Sequence, residues 1–152
     1  MSFNLPNTYK SPGQLNSGQP FSNPITKKPL VLVVENHEDT RVMLRTLLEM
    51  KGCRVAEACD GREAVEIANR DRPELILMDG VLPLLDGLSA TRLIREQNLR
   101  NIRIVAISGD VRPVFQAAAL AAGCDDCLVK PIDFLRLNGI LGSLFDSSPI
   151  AT

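Results

Sequence analysis

Five strand-length runs alternate along this chain with five stretches of helical pattern, and that alternation limits the fold more than any other feature. The runs are Leu30 to Val34, Arg54 to Ala58, Glu74 to Met78, Ile102 to Ile107 and Cys127 to Val129. The third, Glu74-Leu75-Ile76-Leu77-Met78, is too short for a helix of its own and reads as a buried central strand. It stops abruptly on Asp79, and a loop with Pro83, Asp86 and Gly87 follows at once.

The helical stretches carry their own start and stop signals. The first should run to about Lys51, with Met43, Leu44, Leu47 and Leu48 as its apolar stripe and Arg41, Arg45 and Glu49 on the wet side; Gly52 ends it. Asp60 and Glu63 form a capping box that opens a helix through about Asn69. Asp86 can cap a third, from Gly87 to about Glu96. Pro113 starts an alanine-rich helix that Gly123 terminates. Asp133 caps the last, which carries Phe134, Leu137, Leu141 and Leu144.

Short connections and right-handed crossovers turn this alternation into a parallel sheet with helices on both faces. The expected fold is α/β: a flavodoxin-like, doubly wound five-stranded sheet in order 2-1-3-4-5, a three-layer sandwich with five helices. Sheets of this order bind ligands beyond the carboxyl ends of their strands, beside strands one and three. A chain of 152 residues suits one such domain, placed at 29–145. Residues 1–28 are rich in Ser, Asn, Pro, Gly and Gln without apolar periodicity, and should form a flexible leader or linker. Residues 146–152 are expected to be a C-terminal tail.

A formal net charge of −1 offers no broad basic surface, so direct nucleic-acid binding is not expected. No apolar run approaches the roughly 20 residues of a membrane span, and no secretion signal opens the chain. A cytoplasmic protein without membrane insertion is the expectation. Cys53, Cys59, Cys124 and Cys127 then read as reduced thiols rather than a disulfide framework. Cys124-x-x-Cys127 invites a redox or zinc reading, but His37 is the one histidine and no second Cys pair completes a zinc site. Core packing is the better account of these thiols.

The strand ends hold the chemistry. Strand one ends in Glu35 and Asn36, strand three in Asp79, strand four in Ser108, and strand five leads into Lys130. Any one of these is an ordinary polar residue at a wet strand end. Together they bring two carboxylates, an amide, a hydroxyl and an ammonium to one edge of the sheet. Phosphoryl capture by a carboxylate fits this set, with Asp79 as the nucleophile attacking in line. Charge on the equatorial oxygens must be neutralised by placed cations. Mg²⁺ on hard oxygen ligands would supply most of that, Lys130 would take another phosphoryl oxygen, and Ser108 would donate a hydroxyl. Gly109 keeps the approach open.

Residues 29 to about 145 resemble the receiver domain of two-component response regulators (the CheY-like family). The resemblance rests on Leu32-Val33-Val34-Glu35-Asn36, Asp79-x-x-Leu82-Pro83-x-x-Asp86-Gly87, Ser108-Gly109 and Lys130-Pro131-Ile132-Asp133. It implies that Asp79 accepts phosphate from a phosphohistidine on a sensor histidine kinase or histidine phosphotransfer protein. It implies Mg²⁺ held by Glu35, Asn36, Asp79 and the main-chain carbonyl of Val81, and a cis Lys130–Pro131 bond. Such a domain is no enzyme in the ordinary sense: it catalyses its own Mg²⁺-dependent phosphorylation and dephosphorylation. It then signals by phosphorylation-dependent binding to a downstream protein, as a monomer or a phosphorylation-dependent dimer. Three positions depart from the usual family pattern: Asn36 replaces a second acid, Ser108 stands where threonine is commoner, and Cys127 stands where an aromatic residue often sits.

Three other readings compete. Asn36 favours a receiver-fold adaptor that works without phosphorylation; Asp79, Ser108 and Lys130 argue against it. Met78-Asp79-Gly80-Val81-Leu82 also echoes the Asp-x-Asp-Gly motif of haloacid-dehalogenase-type phosphohydrolases. In that motif the nucleophile precedes the Asp-Gly pair by two residues, where this chain has Leu77, which cannot attack phosphorus. A flavin-binding reading lacks the Ser/Thr-rich phosphate loop after strand one.

Overall fold

A computed structural model describes residues 28–146. The leader expected over 1–28 and the tail expected over 146–152 lie outside the described residues, apart from Lys28 and Asp146. The elements follow in the order β1 (Leu30–Val34), α1 (Glu38–Met50), β2 (Arg54–Ala58), α2 (Gly61–Asp71), β3 (Leu75–Asp79), α3 (Gly87–Glu96), β4 (Arg103–Ser108), α4 (Pro113–Ala122), β5 (Asp126–Val129) and α5 (Phe134–Asp146). The strands make one parallel sheet in the order β2-β1-β3-β4-β5, as the alternation predicts.

The period-two alternation of side chains splits the core into two layers. Val31, Val33, Leu75, Leu77, Val105 and Ile107 pack against Leu44 and Leu48 of α1 and Leu137, Ile140 and Leu141 of α5. On the opposite face Leu32, Val34, Ile76, Met78, Ile104 and Ala106 meet Ile67 of α2, Ile94 of α3 and Ala119 of α4. β3 is buried along its whole length, so it is the central strand in burial as well as in position. Burying one such aliphatic side chain contributes roughly 1.5–3 kcal/mol. A one-residue slip of β3 would exchange its faces and forfeit several of these contributions at once. Core packing therefore fixes how far Asp79 stands along the sheet.

The caps behave as their residue types predict. Asp60 accepts the Glu63 N–H at 2.8 Å, while Glu63 reaches back to the Cys59 N–H, also at 2.8 Å, one residue earlier than the usual box. Asp86 accepts the Ser89 N–H at 2.9 Å, and Asp133 accepts that of Leu135 at 2.9 Å. Gly52 (φ 96°) and Gly123 (φ 114°) take the left-handed conformation that ends α1 and α4. Strands β3 and β4 each run one residue beyond the expected end, so Asp79 and Ser108 still pair within the sheet.

Helix α1 departs from its expected pattern. Leu44 and Leu48 are buried and Leu47 is half-buried, but Met43 is exposed. Arg41 and Arg45 do not face open water; they pair with Glu57 of β2 at 3.0 and 2.8 Å. The cause lies in the sheet. Val55 of β2 packs on the α1 side, and period two puts Glu57 there as well. A half-buried carboxylate under α1 needs cations, and one helical turn separates the two that reach it.

Candidate functional site

The β1–β3 register pairs Val34 with Met78, so the next residues, Glu35 and Asp79, stand level on adjacent strands. Both are buried, at 3% and 4% exposure. Two carboxylates side by side out of water are unfavourable without a cation. Lys130 follows β5, beyond β4, and its stem crosses in front of that strand. Its Nζ lies 3.3 Å from Asp79 Oδ2 and 3.5 Å from Glu35 Oε1. The Lys130–Pro131 bond is cis.

The remaining carboxylate oxygens are held from their own loops. Glu35 Oε2 accepts the His37 backbone N–H at 3.0 Å and lies 3.0 Å from His37 Nδ1. Asp79 Oδ1 accepts the Val81 N–H at 3.1 Å. Burial pushes the Asp79 carboxyl above the usual aspartate range, and neighbouring Glu35 adds to it, against the Val81 N–H and Lys130. Burial acts the same way on Glu35, but the two hydrogen bonds from His37, with the Lys130 charge, hold it below the usual range. Asp79 is thus the more strained member of the pair.

Ser108 closes β4 and is buried; its Oγ accepts the Asp110 N–H at 2.9 Å, which leaves the hydroxyl proton free to donate. Asp110 itself is turned onto Arg112, and that guanidinium lowers its carboxyl to about 2. A side chain added at Gly109 would meet nothing within 4 Å, so the approach over the end of β4 is open. Two other glycines are there for lack of space. A Cβ at Gly87 would stand 2.1 Å from the Asp79 carbonyl oxygen, and one at Gly61 1.9 Å from that of Leu85. The start of α3 is therefore pressed against the end of β3, and Leu85 of the intervening loop against the start of α2.

Of the residues singled out in the sequence, Glu35, Asp79 and Lys130 form one contact group, with Ser108 at the end of the strand between β3 and β5. Val81 flanks Asp79 with its side chain exposed. Asn36 is exposed, and among the described residues its side chain has no hydrogen-bond partner. Sequence reasoning passed over His37, whose ring joins Glu35, and Arg112, which neutralises Asp110. The signal for His37 was its position two residues after a strand-end carboxylate. Glu35, His37 and Asp79 each offer a donor atom within 4.8 Å of the other two, a spacing one divalent cation can occupy. The cysteines lie elsewhere: Cys53 and Cys124 are buried, and burial lifts the Cys124 thiol to about 11. Burial raises Cys127 as well, and a redox motif needs a lowered thiol pKa, so Cys124-x-x-Cys127 does not read as one.

Residues 31–141 match the response regulator receiver domain family. The CAI-1 autoinducer sensor kinase/phosphatase CqsS of Vibrio cholerae serotype O1 is 38% identical over 105 residues, covering 68% of this chain and 15% of that protein. The chain spans at most half the length of several other curated relatives as well. Among solved structures, the receiver domain of sensor histidine kinase PA1611 from Pseudomonas aeruginosa PAO1 has a magnesium ion coordinated in its active-site cleft. It aligns with a TM-score of 0.72 and 36% identity, over 79% of this chain and 99% of that one. The receiver domain of Ssk1 from Saccharomyces cerevisiae, co-crystallised with the histidine phosphotransfer protein Ypd1, aligns with a TM-score of 0.69 and 30% identity, over 75% and 86%. Fold, sheet order and matched span agree: the chain belongs to the response regulator receiver domain family, the receiver domains of two-component systems.

Proposed function

We propose that this receiver accepts a phosphoryl group on Asp79 from a phosphohistidine and signals through phosphorylation-dependent binding to a downstream protein in the cytoplasm. One observation carries the reading: a buried carboxylate at the end of the central strand, raised by burial and held 3.3 Å from a lysine ammonium. An Asp79 oxygen forms the new bond to phosphorus while the donor's P–N bond breaks, and the departing imidazole takes up a proton. Lys130 moves from the carboxylates to an equatorial phosphoryl oxygen, as a point charge. Ser108 donates its free hydroxyl proton to another. Glu35, Asn36, Asp79 and the Val81 carbonyl are the proposed Mg²⁺ ligands; when bound, the ion neutralises charge on the phosphoryl oxygens. Two hard carboxylate oxygens within 4.8 Å suit that role.

The donor is proposed to be a sensor histidine kinase or a histidine phosphotransfer protein, by likeness to the Ssk1 receiver bound to Ypd1. Incubation with a small acyl phosphate and Mg²⁺ tests the chemistry. A phosphoryl mass gain on the intact chain, lost in Asp79→Ala, is the expected result. No gain at any metal concentration would leave the phosphorylation-independent adaptor, which the exposed Asn36 favours, as the better reading.

A further inference from the structure

A histidine ring stands beside the two carboxylates at this edge of the sheet. His37 Nδ1 lies 3.0 Å from Glu35 Oε2, and its donor atom lies within 4.8 Å of that of Asp79. Both carboxylates are more than nine-tenths buried, whereas the His37 side chain is 75% exposed. The oxygens are thus fixed in place, and the ring sits over them from the solvent side. Asn36, between Glu35 and His37 in sequence, is exposed and engages no described residue. The donors brought together are two carboxylates and one imidazole.

That set differs in kind from an all-oxygen set. Mg²⁺ takes hard oxygen ligands in a near-ideal octahedron and keeps several waters. Imidazole nitrogen suits borderline transition ions such as Co²⁺, Ni²⁺ and Zn²⁺. A neutral ring that carries its proton on Nε2 can offer Nδ1 to a metal, exchanging its hydrogen bond to Glu35 Oε2 for the metal bond. We propose that His37 is a further ligand of the Glu35–Asp79 cation site and gives it a selective affinity for borderline divalent transition ions. This rests on the proposed role of Glu35 and Asp79 as cation ligands.

Any carboxylate site binds Co²⁺ more tightly than Mg²⁺, so a preference alone decides nothing. The selective effect of the ring does. Calorimetric titration of the full chain with Co²⁺ and, separately, Mg²⁺ should be run on the natural sequence, His37→Ala and Asp79→Asn. Loss of the ring should weaken Co²⁺ about ten-fold or more and Mg²⁺ less than about two-fold. The chain has a single histidine, so its imidazole NMR signals are unambiguous. They should be broadened or shifted by Co²⁺ at the stoichiometry of the calorimetric event.

Equal weakening of both ions in His37→Ala, or of neither, overturns the proposal, as does a Co²⁺ event that leaves the imidazole signals unmoved. The Asp79→Asn arm separates the two layers of argument. If that variant keeps both ions at full affinity, the cation site itself is misplaced. If it loses both while His37→Ala loses neither, the site stands and the ring is not part of it.

Discussion

Lys130 Nζ stands 3.3 Å from Asp79 Oδ2 after crossing the whole width of β4, and it is shared with Glu35 at 3.5 Å. One ammonium therefore serves two buried carboxylates, and Asp79 remains above the usual aspartate range. A site in this state is strained before it reacts. A second cation would relieve the strain.

Asp79→Asn should accordingly stabilise the fold while abolishing phosphorylation. The amide keeps the shape, can still meet the Val81 N–H through its oxygen, and leaves Lys130 paired with Glu35. The sign follows from the direction of the shift. A carboxyl raised in the folded state favours folding fully at pH below its unfolded value and loses that contribution as pH rises through the folded one. The gap in melting temperature between variant and natural sequence should thus be small near pH 4 and grow toward neutrality. In metal-free buffer it should reach the order of 1 kcal/mol, a few degrees for a domain of this size. A natural sequence more stable than the variant at neutral pH would contradict the strained-site account.

Gly87→Ala tests how the site is held. Its Cβ would sit 2.1 Å from the Asp79 carbonyl oxygen and 3.0 Å from Met78 Cγ, and both neighbours belong to the buried central strand. Either α3 lifts or β3 bends. Overpacking of this kind costs about 1–3 kcal/mol, and chemical denaturation should read at least that loss. Gly139→Ala, where nothing lies within 4 Å in α5, should stabilise by roughly 0.5–1 kcal/mol instead. A harmless Gly87→Ala would mean that the start of α3 does not press on Asp79.

The contrast between these positions explains what the sequence could disclose. Strand ends are legible because period two and burial act locally, so Glu35, Asp79, Ser108 and Lys130 could be named from runs of apolar residues and where they stop. Caps are legible for the same reason, as at Asp60, Asp86 and Asp133. The close approach of Gly87 to Asp79, or of Gly61 to Leu85, is a relation between elements, and nothing in either residue's neighbourhood announces it. The misreading of Arg41 and Arg45 has that origin too: helical periodicity locates a wet face, but only the register of β2 puts Glu57 beneath it. His37 was hidden by its ordinary setting, one polar residue in a polar loop.

Phosphoryl lifetime should depend on Val81. Its side chain is exposed beside Asp79, with no group that could orient a hydrolytic water. Asp110 would discourage such a water by its charge, but Arg112 pairs with it at 2.6 Å. The missing donor or acceptor at Val81 is therefore the larger effect, and a comparatively long-lived acyl phosphate is expected. Val81→Asn supplies both a donor and an acceptor there and should shorten the lifetime several-fold, read as the decay of the phosphorylated mass after the donor is removed. An unchanged or longer lifetime would set the idea aside.

Asn36→Asp should tighten Mg²⁺. The natural sequence offers the cation two formal negative charges, Glu35 and Asp79, and a neutral amide where the family usually has an acid. At about 4 Å and an effective dielectric near 20, one unit charge pair is worth about 4 kcal/mol. Repulsion among three carboxylates and the loss of bound water offset much of this, which leaves a net on the order of 1–2 kcal/mol, roughly ten-fold in affinity. The side chain is exposed and makes no competing bond to a described residue, so nothing has to break for the new carboxylate to turn inward. Phosphorylation by a small acyl phosphate should also speed up at low Mg²⁺, because more of the protein then carries the ion. A magnesium titration of both proteins decides the matter. Equal affinities would place residue 36 outside the ion's shell and leave Glu35, Asp79 and the carbonyl of Val81 to hold it.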